Sequence, residues 1–264
     1  GRAGIEKAFE FELRGKPGYF LYNRNKETEK SSLIMKKKSV QGEDLYLTIN
    51  MNYQRLAQQV LGDKIGSIVV LKPDTREVLA LVNSPSFNPN PFSLGMTDKE
   101  WKQIRTDTTR PMYNRALKGT YPPGSVFKII TGAAALDTGL VKPLSEFEDD
   151  GTLKVRGNII RNYQNEVFNK HTFSEAISHS INTTMAQVGL NLGEQKFKEY
   201  AARFGIGKKS SFPISIKPGQ IGSLNNPVKL AWSAIGQGEV LVTPFDLVQV
   251  IATIASNGEF VTPL

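Results

Sequence analysis

The first part of the chain shows no sustained hydrophobic period. Residues 1 to about 42 combine glycines, a hydrophilic stretch "YNRNKETEK" (22–30) and the basic run Lys36-Lys37-Lys38, which predicts extended or hairpin structure outside the main core. The lysine run reads as a solvated face. "DLYLTIN" (44–50) predicts a strand, and "MNYQRLAQQVLG" (51–62) a helix with Leu56, Val60 and Leu61 on one side. Two apolar β-rich runs, "GSIVVLK" (66–72) and "EVLALVN" (77–83), flank a Pro73-Asp74 turn and predict an antiparallel hairpin within a sheet.

From about residue 120 the pattern turns helical. Thr172 and Glu175 match a capping box, and "TTMAQVGLNLG" (183–193) continues as helix to Gly193. In "EQKFKEYAARFG" (194–205) Phe197, Tyr200 and Phe204 recur at helical spacing before Gly205. Thr243, Pro244 and Asp246 stand as N-cap, first helical residue and first-turn acid of a last helix that Asn257-Gly258 closes. Strands in front and helices behind predict an α+β fold rather than an alternating parallel sheet.

At 264 residues the chain exceeds a usual single domain, which predicts one large domain with an appendage. The 33 Lys+Arg against 25 Asp+Glu give a net charge of +8, which suits an anionic polymer, a membrane surface or a carboxylate-bearing substrate, and equally a merely soluble basic surface. No aromatic-basic interleaving supports nucleic-acid binding. The absence of Cys suits an extracytoplasmic protein, and with only His171 and His179 no His/Cys metal site is expected. Neither a signal peptide nor an apolar run long enough to span a bilayer is found. The opening "GRAGIEKAFE" has no initiator Met, so upstream sequence is expected to have been removed.

"YPPGSVFKII" (121–130) carries the first candidate chemistry. Serine is a poor nucleophile until a base takes its proton. On a helix running from 125 to about 138, Ser125 and Lys128 share a face, and burial among Phe127, Ile129 and Ile130 would lower the lysine pKa toward the working pH. Pro122-Pro123-Gly124 stiffens the approach, and the helix N-terminus offers donors to an oxyanion. Ser and Gly are also ordinary helix starters, and a lone Ser-x-x-Lys is a weak signal. A second element stands in "SHSINTT" (178–184), where Ser180 and Asn182 lie at a junction of two helical segments. A hydroxyl there could relay a proton and an amide could hold a substrate amide and the lysine ammonium; simple capping is the competing reading.

Together these elements match the catalytic set of penicillin-binding proteins and serine β-lactamases. "GTYPPGSVFKIITGAAALDTG", "SHSINTT" and "IGQGEVLVTPFDLVQVIATIASNG" resemble the transpeptidase domain of class B penicillin-binding proteins. "GRAGIEKAFEFELRGKPG" and "GEDLYLTINMNYQRLAQQVL" resemble the end of that family's non-catalytic pedestal and the start of its catalytic domain, while "SPSFNPNPF" and "RPMYNRALKGTYPPGS" are most like its elongation-type branch. The resemblance implies an antiparallel sheet flanked by helices, in the penicillin-binding transpeptidase or serine β-lactamase-like fold. Residues 1–42 would then be the end of a β-rich pedestal and 43–264 the transpeptidase domain. Ser125 would be the acylated nucleophile, Lys128 its base, Ser180 the proton relay and Asn182 a contact to substrate amide and lysine. No cofactor is implied. The implied partners are D-Ala-D-Ala stem peptides, β-lactams and a membrane glycosyltransferase, at the outer face of the bacterial cytoplasmic membrane, with an N-terminal anchor.

The resemblance also implies a third motif, Lys-Ser/Thr-Gly, which the sequence does not contain. Lys217-Pro218-Gly219 lacks the hydroxyl and precedes "GQGEVLVTP". The strands and motif that follow the last helix in the family are therefore expected to belong to a disordered or cleaved part beyond Leu264, to come from another chain, or to have been removed deliberately. Losing one oxyanion donor costs about 3–4 kcal/mol, so these residues alone are expected to be a weak acyl-transfer catalyst. Two other readings of the same fold are a β-lactamase, for which Glu166 and Glu194 stand in the wrong places, and a β-lactam-binding sensor or inactive scaffold, against which the pedestal-like start argues.

Overall fold

The structure is a computed structural model and describes residues 1, 3–24, 29, 31–260 and 262–264. The chain forms two compact units, Gly1–Thr48 and Ile49–Leu264. In the first, short helices α1 (Gly4–Ala8) and α2 (Glu10–Leu13) precede the antiparallel pair β1 (Tyr19–Arg24) and β2 (Ser31–Lys37), which runs from Tyr19 opposite Lys37 to Arg24 opposite Ser31 with a register shift between Leu21 and Tyr22. This is the expected hairpin; residues 25–28 and 30 of the hydrophilic stretch lie outside the described residues. Lys36 and Lys37 are exposed as expected, with their ammonium groups over the rings of Phe20 and Tyr19.

In the second unit α3 (Met51–Leu61) is capped by Asn50, whose Oδ1 accepts from the N–H groups of Asn52 and Tyr53. The buried face is not the expected one: Leu56 and Val60 are exposed, Ala57 is buried and Gln54 and Leu61 are half-buried. Gln54 decides the orientation. Its amide pairs with both backbone groups of Leu81, at 2.9 and 3.1 Å, as an added strand would. Residues 44–50 form no strand; among the described residues no neighbouring strand completes a ladder there, and Asn50 turns to cap α3.

The expected hairpin is present as β3 (Gly66–Lys72) and β4 (Glu77–Ser84), with Val78, Ala80, Val82 and Ser84 alternating into the interior. Helices α4 (Asn90–Leu94), α5 (Asp98–Thr106) and α6 (Arg115–Lys118) follow. Next comes a 3₁₀ turn, Gly124–Phe127, which leads into α7 (Lys128–Asp137). Residues 146–172 depart from the helical reading. They form β5 (Glu146–Asp149) paired with β8 (Asn169–Thr172), and β6 (Thr152–Val155) paired with β7 (Asn158–Arg161). Each strand has only four residues and buries one of them fully, too short a stretch for a sustained apolar alternation to mark it. The β6–β7 turn is marked chemically: Arg156 and Gly157 both have positive φ, 46° and 82°, as a two-residue type I′ turn requires.

Helix α8 (Phe173–Ser178) starts with the expected Thr172–Glu175 capping box. Helix α9 (Asn182–Arg203) is broken at Gly193, where φ is 80°. A short pair, β9 (Gln220–Ile221) and β10 (Val240–Leu241), brackets α10 (Pro227–Ala234), and α11 (Pro244–Ala255) carries the Thr243–Asp246 box. The main core lies where α7, α9 and α10 meet, around Phe127, Ile130, Phe197, Tyr200 and Phe204. Helices α9 and α10 approach so closely that a Cβ on Gly189 would overlap that of Ala234, and Thr131 Oγ1 donates to the Ala234 carbonyl at 2.8 Å.

Candidate active site

Ser125 and Lys128 do not lie on one continuous α-helix. The 3₁₀ turn ends at Phe127, and the Lys128 N–H donates to the carbonyls of Ser125 and Val126. With three residues per turn, side chains at i and i+3 lie in line, so this geometry aligns Ser125 and Lys128. Phe127 anchors the turn. Its ring is fully buried, 5.7 Å from that of Phe197, which leaves Ser125 exposed on the opposite side. Burying such a side chain contributes roughly 1.5–3 kcal/mol.

Two further ties hold the turn from outside. Tyr121 and Val242 exchange both backbone hydrogen bonds, at 2.8 and 2.9 Å, and the Gly124 N–H donates to the Gly236 carbonyl at 2.8 Å. Gly236 has φ 77°, and a Cβ there would overlap the Gly124 carbonyl oxygen. Glycine is required at this position both for conformation and for space.

Lys128 is 3% exposed. Its ammonium has three donors, and the structure gives each a partner: Ser180 O at 2.6 Å, Ser180 Oγ at 2.9 Å and Asn182 Oδ1 at 2.6 Å. Burial lowers its pKa from 10.5 to about 8, because the charged form loses hydration. Phe127 and Ile130 on either side of it in the chain are buried, while Ile129 is half-buried, but the lysine nitrogen itself ends among oxygens. The structure thus brings Lys128, Ser180 and Asn182 into direct contact. Among the described residues Ser125 makes no hydrogen bond to this group; it stands one 3₁₀ turn away.

Ser180 owes its orientation to the end of α8. The Ile181 N–H donates to the Ala176 carbonyl at 2.9 Å and the Ser180 N–H to that of Ile177 at 3.1 Å, the paired bonds of a Schellman ending. Glycine usually holds the left-handed position of that motif. Here it is Ser180, at φ 56°, a conformation costing an L-residue roughly 1–2 kcal/mol. The turn directs both its carbonyl and its hydroxyl at Lys128. Asn182 is fixed from the other side, since its Nδ2 donates to the Arg161 carbonyl at 2.9 Å and its Oδ1 must then face the ammonium. Sequence reasoning missed the neighbours that hold Asn182, namely Arg161 and Asn162 at the end of β7. Nothing in "IIRNYQN" marks them, because the contact forms only once the four-residue strands of the β6–β7 hairpin bring this strand end to the start of the helix at Asn182.

A serine and a lysine aligned at a helix start, facing a Ser-x-Asn at the junction of two further helices, define the penicillin-recognising class of serine fold. The family model for the penicillin binding protein transpeptidase domain matches residues 66–264, and the chain belongs to that family. It is 31% identical, over its whole length and 41% of the relative's, to the peptidoglycan D,D-transpeptidase MrdA of Acinetobacter baumannii. It is also 31% identical to penicillin-binding protein 3 of Bacillus subtilis, covering 40% of that protein. Among solved structures it is similar to PBP2 of Pseudomonas aeruginosa, with a TM-score of 0.87 and 30% identity over 100% of this chain and 57% of that one. A ceftriaxone acyl-enzyme complex of penicillin-binding protein A from M. tuberculosis gives a TM-score of 0.81 at 29% identity, over 86% and 54%. The chain thus spans about two fifths of the length of the curated relatives it matches. The fold is the penicillin-binding transpeptidase fold.

Proposed function

We propose that this chain is the nucleophile-bearing part of a peptidoglycan D,D-transpeptidase of the elongation type, acting outside the cytoplasmic membrane. The observation that carries the reading is the placement of Lys128, desolvated, aligned with Ser125 and held by Ser180 and Asn182. Neutral Lys128 takes the Ser125 Oγ proton as the oxygen attacks the penultimate D-Ala carbonyl of a stem peptide. As the tetrahedral adduct collapses, the C–N bond breaks, and the proton passes from Lys128 through Ser180 Oγ to the departing D-Ala amine. An amine of a neighbouring strand then attacks the Ser125 ester, gives up a proton along the same path, and releases the serine. A β-lactam acylates the same oxygen by opening its ring. Asn182, beside holding Lys128, is assigned as a contact to a substrate amide.

The names of the relatives and their acyl-enzyme complexes support this reading. Residues 1–42 are assigned to the end of a non-catalytic pedestal. No helix among the described residues is long and apolar enough to cross a membrane, and the membrane anchor and glycosyltransferase partner are part of the proposal for the intact protein. The test is labelling of the intact protein by a fluorescent penicillin, with Ser125→Ala beside it, followed by a peptidoglycan strand-transfer assay. Labelling lost in Ser125→Ala together with cross-linked product supports the assignment. Equal labelling of both ends it, and labelling without any cross-linked product would make the protein a β-lactam-binding scaffold.

A further inference from the structure

Helix α9 begins without a cap of its own, since Ile181 at the N-cap is apolar. The first N–H groups of a helix nevertheless need acceptors. Asn162 supplies one from 20 residues upstream: its Oδ1 accepts from the N–H groups of Asn182 and Thr183, at 2.9 and 3.1 Å, and from Thr183 Oγ1 at 3.3 Å. Its Nδ2 donates to Asp149 Oδ2 at 2.7 Å and to the Glu166 carbonyl at 3.1 Å.

Asp149 is 5% exposed and accepts four hydrogen bonds: Thr183 Oγ1 at 2.7 Å, Asn162 Nδ2 at 2.7 Å, and the N–H groups of Gly151 and Phe168, both at 3.0 Å. None of these donors is a cation. These four donors fill the lone pairs of its two oxygens, and the Thr183 hydroxyl ties it to the first turn of α9.

We propose that Asp149, Asn162 and Thr183 are positioning residues for acyl transfer: they clamp the start of α9 so that Asn182 and Ser180 hold Lys128 in line with Ser125. The inference rests on the acyl-serine reading above. None of the three touches a reacting atom. Their effect converges on Asn182, whose backbone N–H is held by Asn162 and whose side chain is held by the adjacent Arg161 carbonyl. One strand end therefore sets both the position of this residue and which side of its amide faces Lys128. Small displacements of such a group are expensive for rate, with about 1 Å costing up to a hundredfold.

The test compares Asp149→Asn, Asn162→Asp and the double variant that exchanges the two groups, in the intact protein. Stopped-flow acylation by a chromogenic β-lactam gives the apparent dissociation constant and the first-order acylation constant separately, with thermal unfolding recorded alongside. Each single exchange places like groups against one another and is expected to slow the acylation step about tenfold or more, with the dissociation constant nearly unchanged. The double exchange restores a donor against an acceptor between the two side chains, but sets an amide N–H against the Phe168 N–H and a carboxylate against the Glu166 carbonyl, so slow acylation should persist in it. Thr183→Val, which deletes only the bridging hydroxyl, decides the matter if the single variants do not fold, and should slow acylation by about fivefold or more. Acylation constants unchanged in folded variants, with only a lowered melting temperature, would make the cluster a fold staple and overturn the proposal. Ser125→Ala is run in parallel: its continued acylation would sink the acyl-serine reading, which the clamp variants cannot do.

Discussion

Replacing Lys128 with arginine keeps a cation of similar reach but removes the ability to give up a proton near neutral pH, because a guanidinium stays charged in proteins. With a pKa of about 8 in place of 10.5, the neutral amine is present at pH 7 in about one molecule in ten rather than about one in three thousand, a gain of roughly 300-fold in competent base. The second-order rate constant for acylation by a penicillin should therefore rise about tenfold per pH unit below about pH 8 and level off above it. Lys128→Arg should lower the constant reached above about pH 8 by about 10²–10⁴ and abolish the rise, so that the two profiles converge as pH falls. The same shift predicts a stability trend. The folded pKa lies below the unfolded one, so between about pH 8 and 10.5 the unfolded chain binds more protons and this group's contribution to stability rises with pH. Below about pH 8 the cost of burying the ammonium is present in full, about 3 kcal/mol at 1.36 kcal/mol per unit. A rate flat between about pH 6 and 9, or an arginine variant within a few-fold of wild type above about pH 8, would refute the assignment of Lys128 as base.

Ser180→Gly should raise the melting temperature, relieving about 1 kcal/mol of left-handed strain, while slowing acylation at least about tenfold through loss of the hydroxyl; unchanged acylation would rule out the relay role. Gly236→Ala should lose about 2 kcal/mol or more in urea unfolding and label slowly with fluorescent penicillin, because its φ is disfavoured and its Cβ overlaps the Gly124 carbonyl. Thr243→Ala removes a fully buried cap on α11 and should cost about 1–2 kcal/mol of unfolding free energy with little effect on the acylation rate of folded protein.

The helices with side-chain caps were legible because their signals are local: Thr172 with Glu175 and Thr243 with Asp246 form the expected boxes. Ser125 and Lys128 were legible as a spacing, and the 3₁₀ turn preserves that spacing while changing the helix type. What stayed hidden depends on partners distant in the chain. Leu56 and Val60 scan as a buried helical face, yet Gln54 finds Leu81 and rotates α3 away from them. The hairpins of 146–172 bury few residues per strand, so neither they nor Asp149 and Asn162 carry a periodic signature. The strained backbone at Ser180 is legible only once Ala176 and Ile177 are seen to receive the two bonds that close α8.

The central claim, that Ser125 is the acylated oxygen, is most directly tested by peptide mapping after treatment of the intact protein with a penicillin. Trypsin should release Gly119–Lys128, and the account predicts that this peptide carries one penicilloyl mass, that fragmentation places it on Ser125, and that Ser125→Ala carries none. An adduct on any other residue, or an equal adduct in Ser125→Ala, would contradict it.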